Sequence, residues 1–303
     1  AAFVESLKQP FLVGENKLQI SVGCGMVASQ GQEGTDLLVE RALLALKAAK
    51  REGRNRVALY QPEMEKLKKQ GVLLLPALHQ ALQGGQFCLR FQPMYELKSQ
   101  QLWGVESLPR WNHPVRGLLE PREFYPAACE TGFILPLGEW IMGATCRIGK
   151  ELGIPTSLNI SAQELMQADF VKRFTRALQG AKLNRPDAII VEVTEADLVG
   201  DNAPLAAALR ELRRWNVQVA VDDFSFDTLS LGGLKKLNVN VLKIGRALVH
   251  GMDTLLGRNL VATALDAADS VGCKVVAQGI ETPDQLDMLL ELGCALGQGD
   301  YLC

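Results

Sequence analysis

From Gln86 to its end, the chain alternates short apolar segments with amphipathic ones, and this alternation constrains the fold most strongly. Eight segments have the composition of buried strands, at residues 87–94, 102–110, 156–160, 188–193, 217–221, 239–244, 274–277 and about 295–302. Helices are predicted between them at residues 137–152, 162–179, 204–215, 254–271 and 282–292. Because such alternation is typical of parallel sheets, the predicted fold class is α/β.

The number of strands favours a barrel. Eight strands in about 220 residues suit a (β/α)₈ domain, which typically contains roughly 250 residues. The first two strands are separated only by residues 95–101, which are too few for a crossover helix. We therefore expect a modified TIM barrel in which this pair is antiparallel.

The first sixty residues form a separate pattern. We predict a strand at residues 18–23, a helix from Thr35 to Lys50 and a strand at residues 57–60, with a stop at residues 51–56. Three elements bury too little apolar surface to be stable alone. A helical pattern follows at residues 62–82, interrupted near Gly71. The predicted domains are therefore 1–60, a helical linker 61–76, and a barrel 77–303.

Composition excludes several functions. The net charge is −2 and no block of Lys and Arg stands out, so we expect no duplex nucleic acid as partner. No stretch approaches the roughly 18 apolar residues of a membrane span, and no signal peptide opens the chain. We expect no membrane contact by this fragment, although a parent protein could be anchored. Seven cysteines without a CxxC motif indicate the cytoplasm.

Polar residues recur where the predicted strands end. They are Glu106, Asn159, Glu192, Asp222, Asp223, Lys243, Gln278 and Gln298. One explanation is that each residue caps the helix that follows. Recurrence on seven strands favours a shared site instead, because the carboxyl ends of barrel strands meet at one face, where active sites are built.

The chemistry of this set is specific. Glu106, Asn159, Glu192 and Asp222 supply oxygen ligands of the kind that Mg²⁺ or Mn²⁺ prefers, so we expect them to converge within one coordination sphere. Asp223 could hold a second ion. Together with Lys243 and Arg110, such a metal is typical of a site for phosphate esters.

These residues lie in motifs that closely resemble the EAL family of cyclic di-GMP phosphodiesterases, over residues 77–303. The matching segments are FQPMYEL (91–97), GVESLPRWNHP (104–114), EPREFYPAACETG (120–132), LNISAQEL (158–165), VEVTEADL (191–198), VDDFSFDTLSLGGLKKL (221–237), VLKIG (241–245), VVAQGIET (275–282) and GQGDYL (297–302). The resemblance implies the modified TIM barrel that the strand pattern indicates independently.

The resemblance also implies roles for individual residues. The implied metal ligands are Glu106, Asn159, Glu192, Asp222 and Asp223. The implied contacts to cyclic di-GMP are Gln92, Glu106, Leu108, Arg110, Asn159, Asp222, Lys243, Glu281 and Gln298. Lys243 would position water or phosphate in catalysis, and Gln278 stands at the position of the general base.

Three departures from the family pattern surround the catalytic step. The glutamate that serves the family as general base is Gln278, and a neutral amide cannot accept a proton, a loss that typically costs ~10²–10⁴ in rate. The Gly-Thr-Gly loop is Ser225-Phe226-Asp227, which lacks the glycines that adopt positive φ. The aspartate of the KID motif is Gly245. The pattern predicts that binding is kept and turnover is lost.

The segment before the barrel resembles the second half of a GGDEF (diguanylate cyclase) domain. SVG (21–23) and RALLALKAAKREGRNRVALY (41–60) carry the resemblance, which implies a partial α+β unit. The GGDEF loop itself does not occur in the sequence, so we expect no cyclase activity from this chain.

Three functions follow as hypotheses. The first is a degenerate receptor that binds cyclic di-GMP and signals to an effector protein, in regulation of biofilm or motility. The second is a slow phosphodiesterase that releases pGpG with Mg²⁺ or Mn²⁺ and uses Glu281 or Asp223 as base. The third is a protein-interaction module that binds no nucleotide. The metal is optional for the receptor, and a homodimer is left open.

Overall fold

The computed structural model describes residues 11–303, apart from 14–15, 19–21, 30, 32, 52–55, 199–202, 227–230 and 238. The chain divides into two compact units. One consists of the residues up to His79 together with Phe124–Phe133, and the other of Gln80–Glu123 and Ile134–Cys303. Each unit consists of two separate stretches of the chain, so this division does not test the domain limits predicted from the sequence. Those limits stay predictions.

Apart from parts of two helices that extend into the other unit, Pro62–Gln83 and Pro121–Thr131, the first unit contains four short strands and a helix. Its elements are β1 (Phe11–Val13), β2 (Asn16–Leu18), β3 (Cys24–Met26), α1 (Thr35–Arg51) and β4 (Val57–Leu59). β1 pairs antiparallel with β2, and β3 pairs parallel with β4. The predicted helix from Thr35 and the strand at 57–60 are confirmed.

The predicted strand at residues 18–23 is tested only at its ends: Leu18 belongs to β2, and residues 22 and 23 lie outside any strand. Residues 19–21 lie outside the described residues, and the strand that pairs with β4 begins at Cys24. Gly25 explains this choice: a Cβ there would collide with the backbone of Ala42 and Leu46, so only a glycine lets α1 pack so close.

The predicted interruption near Gly71 is also wrong. A single helix, α2 (Pro62–Gln83), runs through Gly71 and Pro76. A glycine inside a helix costs only about 1 kcal/mol relative to alanine, which tertiary packing readily offsets. Leu78 and Ala81, near the end of α2, are fully buried.

The second unit is a closed barrel. Its strands are β5 (Phe87–Glu96), β6 (Gln101–His113), β7 (Gly117–Leu119), β8 (Thr156–Asn159), β9 (Ile189–Thr194), β10 (Gln218–Phe224), β11 (Val241–Ile244), β12 (Lys274–Gln278) and β13 (Leu296–Gln298). The sheet order is β5-β13-β12-β11-β10-β9-β8-β6-β7, and the pairing of β5 with β6 closes eight strands into a ring. The predicted (β/α)₈ barrel is confirmed.

One barrel strand runs against the others. β5 is antiparallel to both of its neighbours, β6 and β13, whereas the remaining neighbours within the ring are parallel. This confirms the antiparallel first pair expected from its short connection. β7 forms a hairpin with β6 outside the ring.

Helices follow most of the parallel strands. They are α3 (Pro121–Thr131), α4 (Ile134–Leu152), α5 (Ala162–Leu165), α6 (Phe170–Ala181), α7 (Ala203–Arg214), α8 (Leu231–Leu237), α9 (Arg246–His250), α10 (Leu255–Val271) and α11 (Pro283–Glu291). None of the helices in the described part of the chain is long and apolar enough to cross a lipid bilayer.

The single helix predicted at residues 162–179 is two helices. Ser161 and Glu164 form a capping box that starts α5, and α5 ends after one turn. The Gln167 side chain donates to the Gln163 carbonyl at 3.0 Å, which satisfies an acceptor that the helix end leaves open. The amphipathic pattern continues across the break, so periodicity alone could not show it.

An apolar layer fills the barrel interior and supports the layer above it. It consists of Met94, Ile190, Ala220, Val241, Val276 and Leu296, with Trp103 packed against it. Side chains two residues apart on a strand point to the same face. Glu192, Asp222 and Lys243 stand two residues after Ile190, Ala220 and Val241. The polar side chains at the strand ends therefore lie on the same face as the apolar layer.

We expect Ile190→Ala to lower the free energy of unfolding by about 2–5 kcal/mol, because Ile190 is 1% exposed and its loss leaves a cavity. Urea denaturation measures the change. Val115→Ala is the control, since Val115 is 87% exposed and should change stability by less than about 0.5 kcal/mol. Equal effects of the two substitutions would contradict a packed barrel interior.

Candidate functional site

Seven polar side chains from seven different strands meet inside the carboxyl end of the barrel. They are Glu106 (β6), Asn159 (β8), Glu192 (β9), Asp222 (β10), Lys243 (β11), Gln278 (β12) and Gln298 (β13). Each stands two residues or less from the end of its strand, except Glu106, which lies mid-way along the long β6. We call this set the lysine cluster.

The ammonium group of Lys243 lies at its centre. Lys243 is fully buried, and its Nζ donates to Glu106 Oε2 at 2.6 Å and to both carboxylate oxygens of Glu192 at 2.8 Å. Asp222 Oδ1 lies 3.6 Å away. Three carboxylates thus surround one ammonium, and the four ionised groups would carry a formal charge of −2, from three negative charges and one positive charge.

Carboxamide groups complete the hydrogen bonds of the carboxylates. Asn159 Nδ2 donates to Glu106 Oε1 at 2.8 Å, and Gln298 Nε2 donates to Glu106 Oε2 at 2.9 Å. Gln278 Nε2 donates to Asp222 Oδ1 at 2.9 Å. The buried Oε1 of Gln298 has no hydrogen-bond partner among the described residues.

The surroundings separate the pKa values of the buried groups. Burial raises the pKa of Glu106, but Lys243 and the hydrogen bonds from Gln298 and Asn159 lower it further, below its ordinary value. Burial and the charge of Glu106 raise the pKa of Glu192 to about 8, against the opposing effect of Lys243. Burial lowers the pKa of Lys243, but the carboxylates raise it well above its ordinary value, so the amine stays protonated.

Three of the predicted ligand contacts line the same inner face. Gln92 is directly opposite Glu106 in the antiparallel register of β5 and β6, and opposite residues share a face. Leu108 and Arg110 follow Glu106 at intervals of two and are half-buried. Arg110 Nη1 donates to the carbonyl of Pro109 at 3.0 Å.

Residues 76–303 match the family model of the EAL domain. The chain belongs to the EAL family. The bifunctional diguanylate cyclase/cyclic di-GMP phosphodiesterase MucR of Pseudomonas aeruginosa is 32% identical over 311 residues, which cover 99% of this chain and 45% of MucR. The cyclic di-GMP phosphodiesterase NbdA of the same organism is 31% identical over 305 residues, covering 98% and 39%.

A solved structure agrees with the fold. The MucR phosphodiesterase in complex with c-di-GMP superimposes with a TM-score of 0.71 at 33% identity, over 76% of this chain and 96% of that one. This chain spans less than half the length of the two curated relatives.

The side chains expected to bind a metal surround the ammonium group of a lysine. Glu106, Asn159, Glu192 and Asp222 provide suitable oxygen donors, and the structure brings them together. Within the described ranges, however, no three acidic, histidine or cysteine side chains are arranged to hold an ion. Because the ammonium of Lys243 lies among the donors, these residues as arranged do not fit a metal.

Asp223 is outside the lysine cluster. It is exposed, and its backbone has φ 51°, a left-handed conformation that an aspartate tolerates. Its Oδ1 occupies the space that a Cβ at Gly245 would need. Gly245, where the family has the aspartate of KID, therefore leaves room for the carboxylate of Asp223.

The loop after β10 is held by hydrogen bonds to Glu195, a residue to which the sequence assigned no role. Glu195 is 3% exposed, and its Oε2 accepts from the backbone N of Ser225 at 2.8 Å and from its Oγ at 3.0 Å. The only signal in the sequence was a second glutamate directly after β9. Glu195 thus joins the ends of two neighbouring strands.

Phe226 departs from the expectation for this loop. Despite the missing glycines it adopts φ 67°, and its ring packs 4.7 Å from that of Phe224. A bulky residue with positive φ costs about 1–3 kcal/mol. Asp227 lies outside the described residues.

Glu281, the other candidate base, is also held elsewhere. Arg246 Nη2 donates to Glu281 Oε1, and His250 Nε2 lies 3.5 Å from Glu281 Oε2. Gly279, with φ 73°, makes this possible, because a Cβ there would collide with the Arg246 side chain. The structure therefore places Glu281 beside Arg246 and His250 on α9 instead of bringing it into the lysine cluster.

The raised pKa of Glu192 makes stability depend on pH. Since the folded protein binds this proton more tightly than the unfolded chain, the stabilising effect of the protonated carboxyl is lost as pH rises from about 4.5 to about 8. Wild type should therefore lose stability relative to Glu192→Gln by more than about 1 kcal/mol between pH 5 and pH 8.

Urea denaturation at pH 5, 6, 7 and 8 measures this difference. Glu151→Gln is the control, because Glu151 is exposed and should give a profile parallel to wild type. Parallel profiles for wild type and Glu192→Gln would contradict the assignment.

Proposed function

We propose that this EAL domain is a receptor that binds cyclic di-GMP and hydrolyses it slowly or not at all. The observation that carries the proposal is the contact of Gln278 with Asp222: at the position of the family's general base, an amide donates a hydrogen bond of 2.9 Å. Support for the ligand comes from the MucR structure, which was solved with c-di-GMP.

The inner face above the lysine cluster suits such a ligand. Arg110 offers a cation for a phosphate, and charge-assisted hydrogen bonds of this kind are the strong ones. Gln92 and Leu108 lie on the same face, one polar and one apolar.

Turnover needs a group that accepts a proton from the attacking water. Gln278 is a neutral amide, and Lys243 stays protonated among its carboxylates. Glu281 is paired with Arg246. The candidate bases named from the sequence are thus neutral, engaged or, in the case of Asp223, outside the lysine cluster.

A second candidate function is the metal-dependent hydrolysis of cyclic di-GMP to pGpG. It is favoured by the names of MucR and NbdA, which are both phosphodiesterases, and by the oxygen donors of Glu106, Asn159, Glu192 and Asp222. It requires Mg²⁺ or Mn²⁺ to displace the ammonium of Lys243 from those donors.

We also propose that residues 1–60 are the second half of a degenerate GGDEF domain. The match to MucR covers 99% of this chain, including residues before 76, and MucR is named a diguanylate cyclase as well. The receptor would then pass its signal to an effector protein in the cytoplasm.

Arg110→Ala should weaken the binding of cyclic di-GMP by about 1.5–3 kcal/mol, the usual contribution of a hydrogen bond to a charged group. Isothermal titration with and without Mg²⁺ measures it. Arg185→Ala is the matched control, because Arg185 is exposed just before β9 begins, at the opposite end of that strand from Glu192. Unchanged affinity of Arg110→Ala would remove Arg110 from the ligand site.

With saturating Mg²⁺ or Mn²⁺, the wild-type chain should release little or no pGpG. Gln278→Glu alone should restore at most weak activity. Combining it with Gly-Thr-Gly at residues 225–227 should do more than the sum of the separate changes, since residues of one catalytic unit are not additive. Chromatography of the products decides, and rapid pGpG release by wild type would favour the phosphodiesterase.

A further inference from the structure

We infer that Gln278 and Lys243 together replace a divalent cation, so that the lysine cluster is complete and the barrel stable without metal. Gln278 then has a structural role in this chain, in addition to removing the general base that the family has at this position. The inference concerns the free domain and does not depend on the binding of cyclic di-GMP.

The first step is the distribution of charge. Glu106 and Glu192 are 5% and 1% exposed, so their carboxylates are not separated by bulk water. Buried carboxylates this close destabilise one another unless a cation lies between them. Lys243 supplies that cation, with Nζ at 2.6–2.8 Å from both.

The second step concerns Asp222, the carboxylate of the cluster that lies farthest from Lys243 Nζ. Asp222 Oδ1 is 3.6 Å from Nζ, beyond the distance of a hydrogen bond. Gln278 Nε2 donates to that same oxygen at 2.9 Å. The amide therefore satisfies the acceptor that the ammonium leaves incompletely covered.

The third step is what a glutamate would do at this position. A carboxylate at 278 would lose the hydrogen bond and put an oxygen against Asp222 Oδ1. The cluster would then contain four carboxyl groups and one ammonium, and a divalent cation would be needed to hold all four in ionised form. Glutamine avoids this excess of negative charge while keeping the size of the side chain.

The experiment compares thermal unfolding in excess EDTA and in millimolar Mn²⁺, without dinucleotide. The wild-type midpoint should be the same in both solutions within about 1 °C. Gln278→Glu should unfold roughly 5–10 °C lower in EDTA, and Mn²⁺ should restore most of the loss. Gln278→Leu, which removes the donor without adding charge, should be lowered equally in both solutions.

Gln80→Glu is the matched control. Gln80 is exposed on α2, so the same change of atoms should leave the midpoint unchanged with or without Mn²⁺. If Gln278→Glu does not fold in EDTA, Mn²⁺ must recover a cooperative transition.

Three results would overturn the inference: a wild-type midpoint that rises with Mn²⁺ as much as that of Gln278→Glu, a Gln278→Glu midpoint equal to wild type in EDTA, or no rescue by Mn²⁺. Because no dinucleotide is present, each of these leaves the receptor proposal standing. Conversely, a failure to bind cyclic di-GMP would not change the unfolding midpoints.

Discussion

The ion cluster around Lys243 is the interaction on which the functional end of the barrel depends. A single buried ammonium or carboxylate is very costly, and only mutual pairing with good geometry offsets the loss of hydration. Lys243 finds its partners on β6, β9 and β10, so the pairing exists only when these strands are in place. The site is therefore complete only in the folded barrel.

The apolar layer beneath determines where these charges lie. On the parallel strands that contribute to this layer, β9 to β13, the polar residue stands two positions after an apolar one, as in the step from Val241 to Lys243. On the antiparallel β5 the step runs the other way, from Met94 back to Gln92. The reversal keeps Gln92 on the same side of the apolar layer as the other polar residues.

The departures from the family pattern have physical consequences beyond a missing base. Gly245 leaves space that the carboxylate of Asp223 uses, and Gln278 covers an oxygen of Asp222. Ser225 is anchored by the buried Glu195, while Phe226 accepts a strained backbone and packs on Phe224. The changed positions thus make defined contacts of their own at the rim of the barrel.

Much of the architecture could be predicted from the sequence. Eight apolar segments, a connection too short for a helix, and polar residues at the strand ends predicted a barrel with one antiparallel strand. These features depend on local periodicity and on the reach of the chain, which a single sequence contains. The position of β3 could not be predicted, because the approach of α1 to Gly25 decided it.

The partners within the site were decided by the tertiary structure alone. Sequence position indicated that Glu106, Asn159, Glu192 and Asp222 would meet, since all stand on one barrel face. It did not indicate that Lys243 would lie between the carboxylates, or that Arg246 would hold Glu281 apart from them. Those outcomes depend on distances of a few ångströms between side chains far apart in the chain, and only the closed barrel determines such distances.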